Sequence, residues 1–322
     1  VLLSLLVLLA VMIALTQWRA GQREARAIRD FLPVGQIVDV DGTQVHVQIL
    51  GQPKGAAPDL VMLHGASGNL RDFTLDLAAR LAEDYRVILM DRPGLGWTAR
   101  LPQHIGAWNA SSETPSEQAE LLYRAAQQVG ADRPIVLGHS YGGAVALAWA
   151  LDHPAAALVL VAAVSEPWPG SLGWTYRMTG SAAGGALAIP LVTAFLPERF
   201  VAASIESIFA PQQAPDGYAE HLGTDLTLRR TSMRANAQQV NSLLPHIVAM
   251  QQRYDTLSLP IELIHGTADT IVPAHIHAEV FAREVPSAVL TLMPDIGHMP
   301  HLVDPQATVD AIHRAAQRAG LR

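Results

Sequence analysis

The sequence predicts an α/β fold, a mostly parallel eight-stranded sheet flanked by helices and interrupted once by a helical insertion. Three observations carry this expectation. Short continuous apolar runs, of the kind buried on both faces, alternate with helical stretches along most of the chain. Between about Glu166 and Asp255 the alternation stops, and helical patterns separated by Gly and Pro take over. Finally, Gly138-His139-Ser140-Tyr141-Gly142 follows the apolar run Pro134–Leu137 and opens an Ala-rich helical stretch. A serine between two glycines at such a strand-to-helix turn is held strained and exposed, because only small flanking residues let the two backbones pass closely.

The first element is an apolar helix. Val1–Leu15 contains fourteen apolar residues and Ser4, followed by Trp18, Arg19, Arg23, Arg26 and Arg29. Eighteen helical residues reach about 27 Å, close to the ~30 Å hydrocarbon core of a bilayer. Residues 1–18 are therefore expected to be a transmembrane anchor in the lipid bilayer, with Trp18 and Arg19 at the interface. An uncleaved or cleaved signal peptide is the rival reading, and the sequence has neither a basic leading region nor an A-x-A site. Four arginines after the span and none before it favour a cytoplasmic catalytic domain. Residues 19–34 read as a linker, with a charged helical stretch over Gln22–Asp30 that ends near Pro33.

The sheet begins with Ile37–Val40 and Val45–Ile49, which alternate apolar and polar residues around Asp41-Gly42 and predict a half-exposed antiparallel hairpin at the edge. Leu60–Leu63, Arg86–Met90, Pro134–Leu137, Ala157–Val161, Ile261–Ile264 and Val289–Met293 are the buried strands. Helical segments near Leu70–Leu81, Ser116–Val129, Tyr141–Leu151, Ala274–Arg283 and Pro305–Arg318 lie between them. The core is thus expected over residues 35–165 and 256–322, with the insertion at 166–255. That insertion holds a Gly/Ser-rich run over Gly170–Gly185, apolar Ile189–Leu196 and Phe200–Phe209, and a long stretch over Thr224–Val248.

Composition narrows the chemistry. With 322 residues the chain needs no covalent staples to fold. The net charge of −7, without a basic block, gives no basis for binding nucleic acid. The absence of cysteine excludes disulfides, thiol catalysis and thiolate metal sites. Thirteen histidines include the close pairs His275/His277 and His298/His301, but neither pair has i, i+4 spacing with a nearby third ligand, so no metal is expected.

Serine at its free pKa is a weak nucleophile and needs a histidine base, itself oriented by a carboxylate. On a strand–turn–helix serine the partners follow in the order acid, then histidine. Asp269 lies in the loop after the strand ending at Ile264, at the carboxyl end where open α/β sheets place their chemistry. His298 lies in the loop after the next strand. Ser140, Asp269 and His298 are the candidate catalytic residues.

Those residues, together with Leu63-His64-Gly65-Ala66-Ser67-Gly68 and Asp91-Arg92-Pro93-Gly94-Leu95-Gly96, resemble the α/β-hydrolase superfamily over roughly Gln36 to Gln317. The similarity is greatest to the branch with epoxide-hydrolase-like, haloperoxidase-like and carbon–carbon hydrolase-like members. The resemblance implies that the backbone amides of Ala66 and Tyr141 form an oxyanion hole, where losing one donor costs on the order of 2.7–4 kcal/mol of barrier. It also implies that residues 166–255 form a helical cap over the serine. Epoxide hydrolases and haloalkane dehalogenases carry aspartate at the elbow, whereas this chain has Ser140, which favours acyl transfer over alkylation.

The expected function is a carboxylesterase-type serine hydrolase for esters of small to medium apolar acids, with no cofactor. The alternatives are carbon–carbon hydrolysis of diketones, cofactor-free perhydrolysis as in haloperoxidases, and hydrophobic-ligand binding without turnover. Trp168 and Trp174 are candidate substrate-binding residues, with Tyr176, Met178, Phe195 and Phe209 as further apolar candidates for lining the pocket. Glu166 is a weaker candidate for the acid. His64 and His139 read as packing residues around the turns, Asp91 and Arg92 as ties within their loop, Ser67 and Asn69 as turn formers, and Asp295 as a solvated loop carboxylate.

Overall fold

The computed structural model describes residues 1–170 and 172–322. Eight strands form one sheet: β1 Gln36–Val40, β2 Thr43–Gly51, β3 Asp59–Leu63, β4 Arg86–Met90, β5 Ile135–His139, β6 Ala157–Val161, β7 Ile261–Gly266 and β8 Ala288–Met293. Their spatial order is β1-β2-β4-β3-β5-β6-β7-β8. The β1–β2 and β2–β4 pairs are antiparallel, and every later pair is parallel. All eight expected strands are present. β3 to β7 are buried almost throughout, as continuous apolar runs require, but β8 is half exposed because it closes the sheet as an edge strand.

The helices are α1 Leu2–Asp30, α2 Arg71–Thr74, α3 Leu77–Leu81, α4 Pro115–Gln128, α5 Tyr141–Asp152, α6 Trp174–Gly180, α7 Ala182–Phe195, α8 Glu198–Phe209, α9 Tyr218–Leu222, α10 Thr224–Thr227, α11 Arg230–Gln251, α12 Ala278–Glu284, α13 Pro300–Val303 and α14 Pro305–Arg318. One sheet face packs on α4, α5 and α12, and the other on α2, α3 and α14. Local chemistry sets the helix starts. Thr114 and Glu117 form a reciprocal capping box before α4, with Pro115 in the first turn, and Asp304 caps α14 ahead of Pro305.

Two expected helices are shorter than the sequence pattern suggests. The Leu70–Leu81 segment breaks at Leu75-Asp76, where Asp76 leaves helical geometry and its carbonyl and carboxylate hold the restarted turn through Ala79 and Arg80. The Ala274–Arg283 segment opens as a turn on the Pro273 carbonyl and becomes helical at Ala278.

Residues 166–255 contain only helices among the described residues, α6 to α11, and of the Gly/Ser-rich run Ser171 lies outside the described residues. The N-terminal helix is longer than the apolar segment. α1 runs without a break through the expected boundary at residue 18, and by length and composition it could cross a membrane. Residues 1–15 are exposed, while Thr16, Ala20 and Ala27 are buried. Arg23 pairs with Asp225, and Glu24 takes the Arg230 guanidinium at 2.9 and 2.7 Å. The segment expected to be a linker is thus the half of α1 that docks on α7, α10 and the start of α11.

Candidate active site

Ser140 sits between β5 and α5 with φ 53° and ψ −118°, a left-handed conformation costly for any residue with a Cβ. The surroundings hold it there. Its amide donates to the Val161 carbonyl at 2.9 Å, and its carbonyl accepts from Gly143 and Val164 at 3.0 and 3.2 Å. A Cβ at Gly138 would lie 2.3 Å from the Gly142 carbonyl oxygen, and one at Gly142 would lie 2.2 Å from that of Leu63. Both glycines are therefore required by the close crossing of strand and helix.

The three residues singled out by order along the chain converge. His298 Nε2 lies 2.9 Å from Ser140 Oγ, and His298 Nδ1 lies 2.8 Å from Asp269 Oδ2. Asp269 Oδ1 accepts the amides of Ile271 and Val272, each at 2.9 Å, which fixes the carboxylate plane. His265 adds a contact to Oδ2 at 3.3 Å. Burial alone would raise the pKa of Asp269, but the donors from His265, His298 and Val272 outweigh it and hold the acid well below the usual carboxylate range. The His298 loop is tied to the serine strand, since His139 Nε2 lies 3.1 Å from the His298 carbonyl. Burial, with the neighbouring imidazoles of His301 and His298, pushes the pKa of His139 well below that of a free histidine, so it donates as a neutral ring.

The turn carrying Ala66 is held from beneath. Arg92 donates to the carbonyls of His64 at 2.9 Å and Gly65 at 3.0 Å, and to the side chains of Gln118 and Gln239, each at 3.0 Å. Asp91 accepts from Leu70 and Trp97 at 2.7 and 2.8 Å and faces His46 Nδ1 at 2.6 Å. His64 Nε2 accepts the Arg92 amide at 3.0 Å. These residues tie their loops. The amides of Ala66 and Tyr141 donate to no acceptor among the described residues.

Two cavities meet at the serine. One, of about 340 Å³, runs under the cap between Leu196, Ile205, Ile208 and Leu228. The other, of about 350 Å³, is bounded by Trp168, Leu172, Leu243 and Ile276. Ala66, Ser140, Tyr176 and Ile271 line both. Trp168 lines the second cavity and Tyr176 lines both. Trp174 lies on the outer side of α6, 66 % exposed, and lines neither cavity. Phe209 is buried edge-on against Tyr218, Phe195 lies under Arg19, and Met178 also lines neither cavity.

Glu166 forms no hydrogen bond or ion pair with His298. Its carboxylate is buried without a hydrogen-bond partner among the described residues, and burial, reinforced by Glu284, pushes its pKa up to about 8. Asp295 is exposed and meets Thr267 and Gln212 only through its backbone. Ser67 and Asn69 bind the cap, through Asn236 and Thr227 and through the Leu222 carbonyl.

Sequence reading missed Asp72. It lines the first cavity and accepts from Tyr218 at 2.7 Å, and its other oxygen lies 3.1 Å from His301 Nε2. With His139 these residues place three ligand-type atoms within 4.8 Å of one another. The 3.1 Å contact has the spacing of a hydrogen bond between histidine and carboxylate. No local motif marks this cluster, because Asp72, His139 and His301 come from three distant parts of the chain and Tyr218 from a fourth.

A family model described as "Alpha/beta hydrolase family" matches residues 60–311. The chain is 32 % identical over 250 residues to the magnesium-chelatase 30 kDa subunit of Rhodobacter capsulatus, covering 76 % of this chain and 82 % of that protein. Among solved structures it resembles an esterase from Rhodococcus, at TM-score 0.66 and 21 % identity over 90 % of this chain and all of the other. It also resembles a bacterial membrane phospholipase A, at TM-score 0.66 and 20 % identity over 100 % of this chain and 99 % of the other. The chain belongs to the alpha/beta hydrolase family.

Proposed function

We propose that this alpha/beta hydrolase is a serine esterase cleaving carboxylic esters of small to medium apolar acids, held at a membrane by the apolar half of α1. The observation that carries the reading is the continuous hydrogen-bonded line from Asp269 through His298 to Ser140, at 2.8 and 2.9 Å, opening where two cavities join.

In this reading Ser140 Oγ attacks the ester carbonyl as His298 Nε2 takes its proton. Asp269, kept ionised, fixes the imidazole tautomer and stabilises the imidazolium. The Ala66 and Tyr141 amides receive the developing oxyanion, and His298 then gives its proton to the departing alcohol. Water then attacks the acyl carbonyl as it loses a proton to His298, which returns that proton to Ser140 Oγ as the acid leaves. The two cavities suit the two halves of an ester, one for the acyl chain and one for the alcohol, and their apolar walls favour substrates without charge near the carbonyl.

The test is turnover on p-nitrophenyl esters of graded chain length, with Ser140→Ala in parallel. Serine-dependent turnover peaking at short or medium chains is expected. A folded protein that releases no more than one equivalent of nitrophenol, or a Ser140→Ala variant with unchanged turnover, overturns the assignment.

A further inference from the structure

A third cavity, of about 560 Å³, lies away from Ser140, between α1, the segment around Ile105, α7 and the start of α11. Its wall is strongly basic. Arg100, Arg229, Arg230 and Arg234 all contribute to it. Among the described residues two carboxylates answer them, Glu113 on Arg100 and Glu24 on Arg230. Arg229 is spent on backbone carbonyls, Ser232 and the face of Trp97.

Arg234 is the unusual member. It is 6 % exposed, and its guanidinium donates to the Asn109 carbonyl from Nη2 alone, at 2.6 Å. Nε and Nη1 have no partner among the described residues. Gly185 of α7 leaves the room for this guanidinium, since a Cβ there would overlap Nη1. A buried cation with two idle donors is costly unless an anion completes it. The first turn of α11, with Thr231 and Ser232 lining the same cavity, adds the positive end of a 22-residue helix.

The setting bears on the source of the anion. Gln17 lines the cavity and is followed by Trp18, where the exposed apolar stretch of α1 ends. Ile105 in the lining is exposed, and so are Trp108 and Leu187, which directly follow the lining residues Ala107 and Ala186. Exposed tryptophan and aliphatic side chains beside a spanning helix belong at headgroup depth. We propose that this cavity binds the phosphate of an anionic phospholipid at the membrane surface from which α1 emerges. The proposal rests on α1 lying in a bilayer and is independent of the ester chemistry at Ser140.

The full chain in nonionic micelles is titrated with phosphatidylglycerol, phosphatidylcholine or inorganic phosphate, and binding is followed by tryptophan fluorescence, to which Trp97 in the cavity wall contributes. Phosphatidylglycerol is expected to bind about tenfold more tightly than either alternative, and Arg234→Gln to remove most of that preference. Equal affinity for the two lipids overturns the proposal, as does an unchanged preference in a folded Arg234→Gln variant. Inorganic phosphate binding as tightly as phosphatidylglycerol makes this a free-anion site and overturns the lipid assignment. If Arg234→Gln does not fold, salt decides with the native chain. The preference should vanish near 1 M NaCl, and one that persists there is not electrostatic and overturns the proposal.

Discussion

The Arg92 guanidinium lies 4.3 Å above the ring of Tyr141 while its nitrogens bind the two carbonyls that precede Ala66. One buried cation therefore braces both turns whose amides are proposed to hold the oxyanion. It forms no ion pair among the described residues; burial lowers its pKa to about 10, opposed by the ring face of Tyr141, by the nearby carboxylates of Glu113 and Asp91, and by the amide dipoles it binds.

Arg92→Lys tests this bracing. Lysine keeps a charge but cannot reach the carbonyls of His64 and Gly65 and both glutamines at once. A slight shift of the Ala66 turn misplaces one proposed donor, so kcat should fall by about ten- to a hundredfold with little change in KM. Steady-state kinetics on the best ester decides it, with thermal melting as a control for folding. A fall in melting temperature with native kcat would make Arg92 a packing residue only.

Asp269→Asn separates the proposed acid from Glu166. The asparagine still fits the Ile271 and Val272 amides but cannot hold His298 in the tautomer that accepts from Ser140, so kcat should fall on the order of 10⁴-fold with the fold intact. Glu166→Gln should leave kcat within about twofold, since Glu166 forms no hydrogen bond or ion pair with His298. The reverse pattern would move the acid to Glu166.

Glu166 sets a distinct pH dependence of stability. Its folded pKa, about 8, lies above the ordinary carboxylate value of 4.5, so the folded state holds a proton that the unfolded state has released. Its contribution is fully present below about pH 4.5 and is lost as pH rises toward 8. Glu166→Gln carries no such proton. The variant should match the native chain near pH 4.5 and exceed it by about 1–3 kcal/mol at pH 9, read from urea melts across that range. Parallel stability curves for the two proteins would show that Glu166 is solvated or paired.

Legibility followed the range of the forces involved. The strands could be read because burial on both faces writes a continuous apolar run, and the Ser140–Asp269–His298 constellation because each residue sits at a turn after such a run. Val289–Met293 looks the same, yet half of it faces solvent, since the sequence of one strand does not report whether a neighbour covers it. Trp174 differs from the expectation for a similar reason: a short helix carrying one exposed and one half-buried aromatic gives no sign in its sequence of which side lines a cavity. Asp72, Tyr218 and Arg234 could not be found locally, because Asp72 and Tyr218 pair across 146 positions, Asp72 meets His301 across 229, and Arg234 meets Asn109 across 125.

The two halves of α1 should separate in truncations. Residues 2–15 are exposed along their length, so deleting residues 1–15 removes almost no contact and should leave the melting temperature within about 2 °C while abolishing the need for detergent. Deleting residues 1–30 also removes the buried Ala20 and Ala27, the Arg23–Asp225 pair and the Glu24 carboxylate on Arg230, and it bares α7. Losing that packing and leaving Arg230 unanswered should cost roughly 2–4 kcal/mol, or about 5–10 °C of melting temperature in a domain of this size. Equal melting of both truncations would show that the charged half of α1 hangs free, and its docking on the cap would fail with it.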